Sequence, residues 1–269
     1  MIYETLVYRA LGLKKESSEI SPLSVAAITL KSMWHTWSHG TIIEGAPIPS
    51  EGPVIATGNH RKKSDIDKAV QAVRILGGRW IIPLIKKILT DEGAVESDEY
   101  LASIGTTKEE ALKDYKPLQA RIIRGSGAIS ALRDTPSATV GRACLRVLNR
   151  NQVLGLFLQP HRYEDTTLQS LQDSAATLAQ RKPDVPVSLF AMSGKPEAPE
   201  DKVTVFPPVT YNQLRQEYGR DLTPAELTII FADMIVTALP ESSQIDWAHR
   251  WSEELTRLNK EASKRNRAA

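Results

Sequence analysis

Residues 52–67, GPVIATGNHRKKSDID, set His60 at the end of an apolar run, Val54–Ile55–Ala56–Thr57. A basic trio follows, and then a carboxylate at Asp65. A histidine held by an acid makes a general base. The carboxylate keeps one ring nitrogen protonated, and the other nitrogen can take a substrate proton. In a continuous helix, residues five apart diverge by about 140°, so the two meet only if a turn lets the carboxylate fold back. The pattern is that of a serine hydrolase without its serine. The nucleophile then has to come from the substrate, for example an alcohol attacking an acyl thioester. A histidine base suits this, because an unperturbed imidazole titrates near working pH. By residue types alone the spacing arises easily by chance, and a loop histidine beside a helix-capping aspartate is the plainer reading.

The surrounding elements decide whether the pair can form. Val54–Thr57 reads as a buried strand, and Asp65 to about Gly77 as a helix with Ala69, Val70, Val73 and Leu76 at helical spacing. Ser64 or Asp65 suits its N-cap. His60 then lies in the turn leaving a strand, at the carboxyl end where open sheets bind ligands. Upstream, residues 22–39 form one helix, capped by Ser21, entered through Pro22 and left at Gly40. Trp34 and Trp37 at its far end pack on the protein's own core in the plainer reading. In the alternative they lie at a lipid interface. Pro47, Pro49 and Pro53 mark a loop.

Downstream, Ile81–Leu89 is apolar and ambiguous, and Glu92–Tyr115 is a polar surface excursion. Helices are expected at 117–124, 137–149, about 168–181, 223–238 and 244–264. Short strands are expected at 128–132, 153–158, 187–191 and 203–206. Cys144 falls on the inner face of the 137–149 helix and reads as a core residue. Strands alternating with helices predict an α/β fold, with a mixed, mostly parallel sheet flanked by helices on both faces. An N-terminal helical preface and C-terminal helices complete it.

The totals agree with this class. The 269 residues are 41 % hydrophobic and 25 % charged, ordinary for a soluble globular chain. A net charge of +2 without a basic, aromatic-laced stripe gives no reason to expect nucleic acid. One cysteine allows no internal disulfide and fits a reducing compartment. The N-terminus, with Glu4 and no basic n-region, does not read as a signal peptide. No apolar stretch approaches the roughly 20 residues of a spanning helix, so membrane contact is expected to be peripheral.

The stretch Asn59–His60–Arg61–Lys62–Lys63–Ser64–Asp65 resembles the N-H-x4-D motif of the glycerophospholipid acyltransferases, the lysophosphatidic acid acyltransferase-like family. Later stretches fall in that family's order. PLQARIIRGSGAISALRD (117–134) is similar to its second block, with Gly127 and Arg133. LGLFLQPHR (154–162) stands where the family has F-P-E-G-T-R. VPVSLFAMSG (185–194) is similar to its V-P-I-x-P-V block, and VTVFPPV (203–209) to the strand that follows. The resemblance spans roughly 50–240 and divides the chain into an N-terminal segment 1–45 with possible membrane-surface contact, an acyltransferase-like domain 46–240, and a C-terminal helix with basic tail 241–269.

The resemblance implies transfer of a fatty acyl group from acyl-CoA or acyl-carrier protein to a hydroxyl of a glycerol-phosphate or lysophospholipid-type acceptor. His60 would be the base and Asp65 its orienting partner. Arg133 and Arg162 would hold the acceptor phosphate, through guanidinium groups that donate two parallel hydrogen bonds. Asn59, Gln159 and Gly127 would complete the substrate site. No cofactor or metal is implied, and the expected place is cytoplasmic, on the inner face of the membrane. The chain departs from the family in the third block, where Leu158, Gln159, Pro160 and His161 replace Pro, Glu, Gly and Thr. Gln159 keeps a glutamate's reach but not its charge, and Pro160 removes an amide donor. An ion pair with Glu164 or Asp165 is the bland role for Arg162. A catalytically weakened or inactive lipid-binding protein on the same scaffold is the alternative function.

Other constellations are weaker. His161 and Asp165 read as a loop pair at the pocket rim. His35 and His39 share a helical face but have no third ligand. RGSGAIS lacks the third glycine of a dinucleotide fingerprint and precedes a strand.

Overall fold

The computed structural model describes residues 20–62, 64–86, 96–97, 101–102, 107–131, 137–160, 162, 167–194 and 201–266. Seven strands form one sheet: β1 (Ile42–Gly45), β2 (Val54–Gly58), β3 (Ile81–Lys86), β4 (Ile129–Ala131), β5 (Val153–Phe157), β6 (Val187–Ser193) and β7 (Lys202–Val205). Their order is β1-β7-β6-β2-β5-β3-β4. Every pairing is parallel except β6 with β7, so β1 and β7 run against the other five. All residues of β2 and β6 are buried. Successive side chains point to opposite sides of a strand, so helices must cover both faces of the sheet centre. The α/β architecture expected from the alternating pattern is therefore present.

The helices start where the local chemistry favours them. The first, α1 (Pro22–Ser38), is capped by Ser21, whose hydroxyl accepts the Ser24 N–H at 3.4 Å. The second, α2 (Asp65–Gly77), gains from Asp65 and Asp67 in its first turn and ends at Gly78, where φ is +63°. Ser64 is its N-cap residue but makes no side-chain cap bond. The Asp65 carboxylate, just inside the helix, accepts the N–H groups of Arg61 and Lys62 instead. Between β3 and β4 lie α3 (Lys108–Asp114) and α4 (Pro117–Gly125), and between β4 and β5 lies α5 (Ala138–Asn149). The stretch expected as a surface excursion thus holds α3, with Ala111 and the following Tyr115 buried.

Next come α6 (Ser174–Arg181), which starts later than the periodicity suggests, and three C-terminal helices. Of these, α7 (Tyr211–Tyr218) and α8 (Pro224–Val236) open on capping boxes, Thr210 with Gln213 and Thr223 with Glu226. The last, α9, spans Glu241–Asn266.

Helix α1 packs against α2 and α4 and buries Val25, Thr29 and Ser32. Its opposite stripe, Leu23, Leu30, Met33, Trp34 and Trp37, faces outward. Trp34 and Trp37 are 67 % and 75 % exposed, so they do not pack on the core as the plainer reading expects. Residues 42–45, grouped by sequence with the N-terminal segment, form the sheet's edge strand beside β7.

Candidate functional site

The site is built where β2, β5 and β6 end. Parallel pairing sets Gly58 beside Phe157 of β5 and Phe190 of β6. A Cβ at Gly58 would collide with the Phe190 carbonyl, so this close approach requires glycine. Beyond Gly58 the chain leaves the sheet through Asn59, whose side chain is anchored to the backbone of Met192. It donates to the Met192 carbonyl at 2.9 Å and accepts the Met192 N–H at 2.6 Å. The next residue, His60, donates its backbone N–H to Gln159 Oε1 at 2.9 Å. Its ring stacks on Phe157, with centroids 4.1 Å apart and planes 6° from parallel.

His60 Nδ1 lies 3.2 Å from Asp65 Oδ2, so the turn does fold the carboxylate back onto the imidazole. The same oxygen accepts the Arg61 N–H at 2.5 Å and the Lys62 N–H at 2.7 Å. Asp65 is 0 % exposed. Its burial pushes the carboxyl pKa up, but the His60 hydrogen bond, the Lys68 ammonium and the two amides outweigh that and hold it below its ordinary value. An ionised carboxylate can only accept, so Nδ1 is the donor in this contact, and in the neutral imidazole that leaves the lone pair on Nε2. The His60 side chain keeps 16 % exposure, and Nε2 has no hydrogen-bond partner among the described residues.

The other expected site residues divide. Gln159 is buried with both amide atoms engaged, Oε1 at His60 and Nε2 at the Thr167 carbonyl, 2.9 Å away. It braces the backbone of His60, and both ends of its amide are engaged within the protein. A glutamate there would face the Thr167 carbonyl with a second acceptor, which explains why an amide fits this loop. Asn59 is likewise a fastener. Gly127 lies in the turn between α4 and β4 at φ +83°, packed on Ile20 and Ile82, and its conformation alone explains it. Arg162 is exposed. Arg133, His161, Glu164 and Asp165 lie outside the described residues.

Sequence reasoning missed three neighbours. Lys68, one turn after Asp65 on α2, sets its ammonium 3.4 Å from Asp65 Oδ1 and 2.6 Å from Asp201 Oδ2. Arg61, also buried, donates to the Gly194 carbonyl at 2.8 Å and lies 3.8 Å from Asp201. The i, i+3 spacing of Asp65 and Lys68 was a readable signal. Nothing in the sequence marked Asp201.

An apolar pocket of about 20 Å³ lies between α2 and the sheet, lined by Gly58, Ile66, Val70, Phe157 and Phe190 among others. The His35 and His39 rings lie 4.1 Å apart, tilted by 60°, and no group of three metal-ligating side chains occurs among the described residues. No described helix is long and apolar enough to cross a membrane. Against known protein families, curated proteins and solved structures, the chain finds no match.

Proposed function

We propose that the protein is an acyltransferase moving a fatty acyl group from a thioester donor, acyl-CoA or acyl-carrier protein, to a hydroxyl of a glycerol-phosphate or lysophospholipid-type acceptor. One observation carries the proposal. A histidine at a sheet's carboxyl edge has Nδ1 bound to a buried, ionised aspartate and Nε2 unengaged by any described residue. No serine or cysteine stands in hydrogen-bond contact with that imidazole among the described residues, so the nucleophile comes from the substrate. The N-H-x4-D spacing and the ordered later blocks support the acyl-transfer class.

In the reaction, Nε2 takes the acceptor's hydroxyl proton as that oxygen attacks the thioester carbonyl. Asp65 stabilises the imidazolium that forms. The tetrahedral intermediate expels the thiolate, which receives the proton from Nε2, leaving an ester and a thiol. Arg162, exposed three residues after Gln159, is the candidate for the acceptor phosphate, and Arg133 is proposed for the same role from the sequence resemblance. The outward apolar stripe of α1 supports action at the surface of a membrane; the cytoplasmic face is part of the proposal. The alternative, a lipid-binding protein without turnover, is favoured by the uncharged and fully engaged Gln159.

The deciding measurement is thioester turnover with a panel of lyso-lipids, wild type against His60→Ala. Turnover abolished by the substitution, with the fold retained by circular dichroism, is expected. Turnover that is absent, or unaffected by it, refutes the acyltransferase. Copurified lipid without turnover supports the alternative.

A further inference from the structure

Lys68 is 1 % exposed and lies on the buried face of α2 among Ala69, Val70, Ala72 and Val73. Burying an ammonium is strongly unfavourable unless it is paired, and an apolar side chain of similar length would fill the same space. Packing therefore does not account for a lysine here; its two carboxylates do. Asp65 Oδ1 and Asp201 Oδ2 flank the ammonium. Asp201 is fixed in turn by the sheet. Its carbonyl accepts the Ile42 N–H at 2.8 Å, and the antiparallel pairing of β7 with β6 brings the start of β7 to the edge where β2 ends.

The chain of contacts runs Asp201–Lys68–Asp65–His60. Resting on the reaction proposed above, we propose that Lys68 and Asp201 are positioning residues of the base: Lys68 pins one oxygen of Asp65 so that the other is committed to His60, and Asp201 balances the lysine's charge. Oδ2 is held as well by the Arg61 and Lys62 amides, so exchanging Lys68 changes the charge beside the pair and leaves the carboxylate in place. The groups that bear on the imidazole from each side are Arg61 and Lys62 of its own loop, Asp65 and Lys68 of α2, and Asp201 before β7. From the end of β5, the described residues in contact with His60 are Phe157 and Gln159, both uncharged. Asp201 also faces Lys62 at 3.4 Å and Arg61 at 3.8 Å. Removing it leaves three cations around one carboxylate, which disfavours the imidazolium. Removing Lys68 has the opposite sign.

The test reads His60 directly. In the full chain with labelled histidines, its NMR signal is assigned by its loss in His60→Gln and followed against pH. Lys68→Met is expected to raise the titration of His60 by about half a pH unit or more, and Asp201→Asn to lower it by a similar amount. The double variant is expected to return to within about 0.3 unit of wild type, because the removed charges cancel. Lys68→Arg, which keeps the charge, should stay near wild type. The acid limb of the turnover profile should move in the same directions as the NMR titration.

Folded Lys68→Met and Asp201→Asn proteins that both titrate like wild type would overturn the inference and leave only a structural ion pair. If Lys68→Met does not fold, Asp201→Asn decides alone: a downward shift supports the coupling, and an absent or upward shift overturns it. The titration needs no substrate. Shifts in the expected directions without acyl transfer to any acceptor would sink the acyltransferase reading while the coupling stands.

Discussion

Asp65→Asn tests the site's geometry most sharply. An asparagine can set its carbonyl oxygen where Oδ2 stands and still accept the amides of Arg61 and Lys62. Its NH2 then replaces Oδ1 and points at the Lys68 ammonium, a donor facing a donor 3.4 Å away. The two amide bonds change from a charged to a neutral acceptor, a loss of about 1 kcal/mol each. Lys68 loses one of two counter-charges in a buried setting, which adds roughly 1–2 kcal/mol. The sum is about 3–4 kcal/mol, read as the shift in urea unfolding at pH 7.

The sign with pH follows from the depressed Asp65 pKa in the folded state. Its contribution is complete above the unfolded value near 3.8 and is lost as pH falls through the lower folded value. The gap between wild type and variant should therefore close only in strong acid. Turnover should drop about 10²–10⁴-fold, as for a base deprived of its orienting charge. A stability loss under about 1 kcal/mol at pH 7, or a gap constant down to strong acid, would refute the assignment of charge at this site.

Other perturbations probe other parts. Trp34→Ser with Trp37→Ser should weaken sedimentation with anionic lipid vesicles while changing stability by no more than about 0.5 kcal/mol, since both rings are exposed; undiminished sedimentation would count against membrane docking through α1. Gln159→Glu loses the donor to the Thr167 carbonyl and should destabilise the fold by about 1–3 kcal/mol in urea unfolding. Glu226 accepts from Arg220 and Arg257, and Arg220 holds its carboxyl far below the usual glutamate range against the opposing effect of burial. Its stabilisation is full above pH 4.5 and declines below it. Glu226→Gln should thus flatten the fall of melting temperature between about pH 5 and pH 2.

The parts of the fold governed by local patterns were legible. The bounds of α1 followed from Ser21, Pro22 and Gly40, and the apolar run 54–57 became the central strand β2. His60 and Asp65 meet as the turn between them requires. Less legible were elements whose residues are decided by distant partners. Strand β1 is four residues long and mostly exposed, and it exists because β7 offers an edge. Helix α7 carried its signals, a Thr210–Gln213 box and Gly219, but its polar composition hid them. The tasks of Asn59 and Gln159 were misread because both side chains are consumed by backbone groups far along the chain, at Met192 and His60. No single-residue preference reveals such a partner.

Asn59 is clasped by a strand 133 residues downstream. During synthesis, the histidine motif leaves the ribosome long before β6 exists to receive it. Until that strand docks, the loop lacks its clasp, and the amides of Arg61 and Lys62 have no fixed frame in which to gather the carboxylate. Assembly of the His60 loop thus waits on the synthesis of β6. A nascent or truncated polypeptide ending before residue 187 carries every residue of the motif and cannot assemble it.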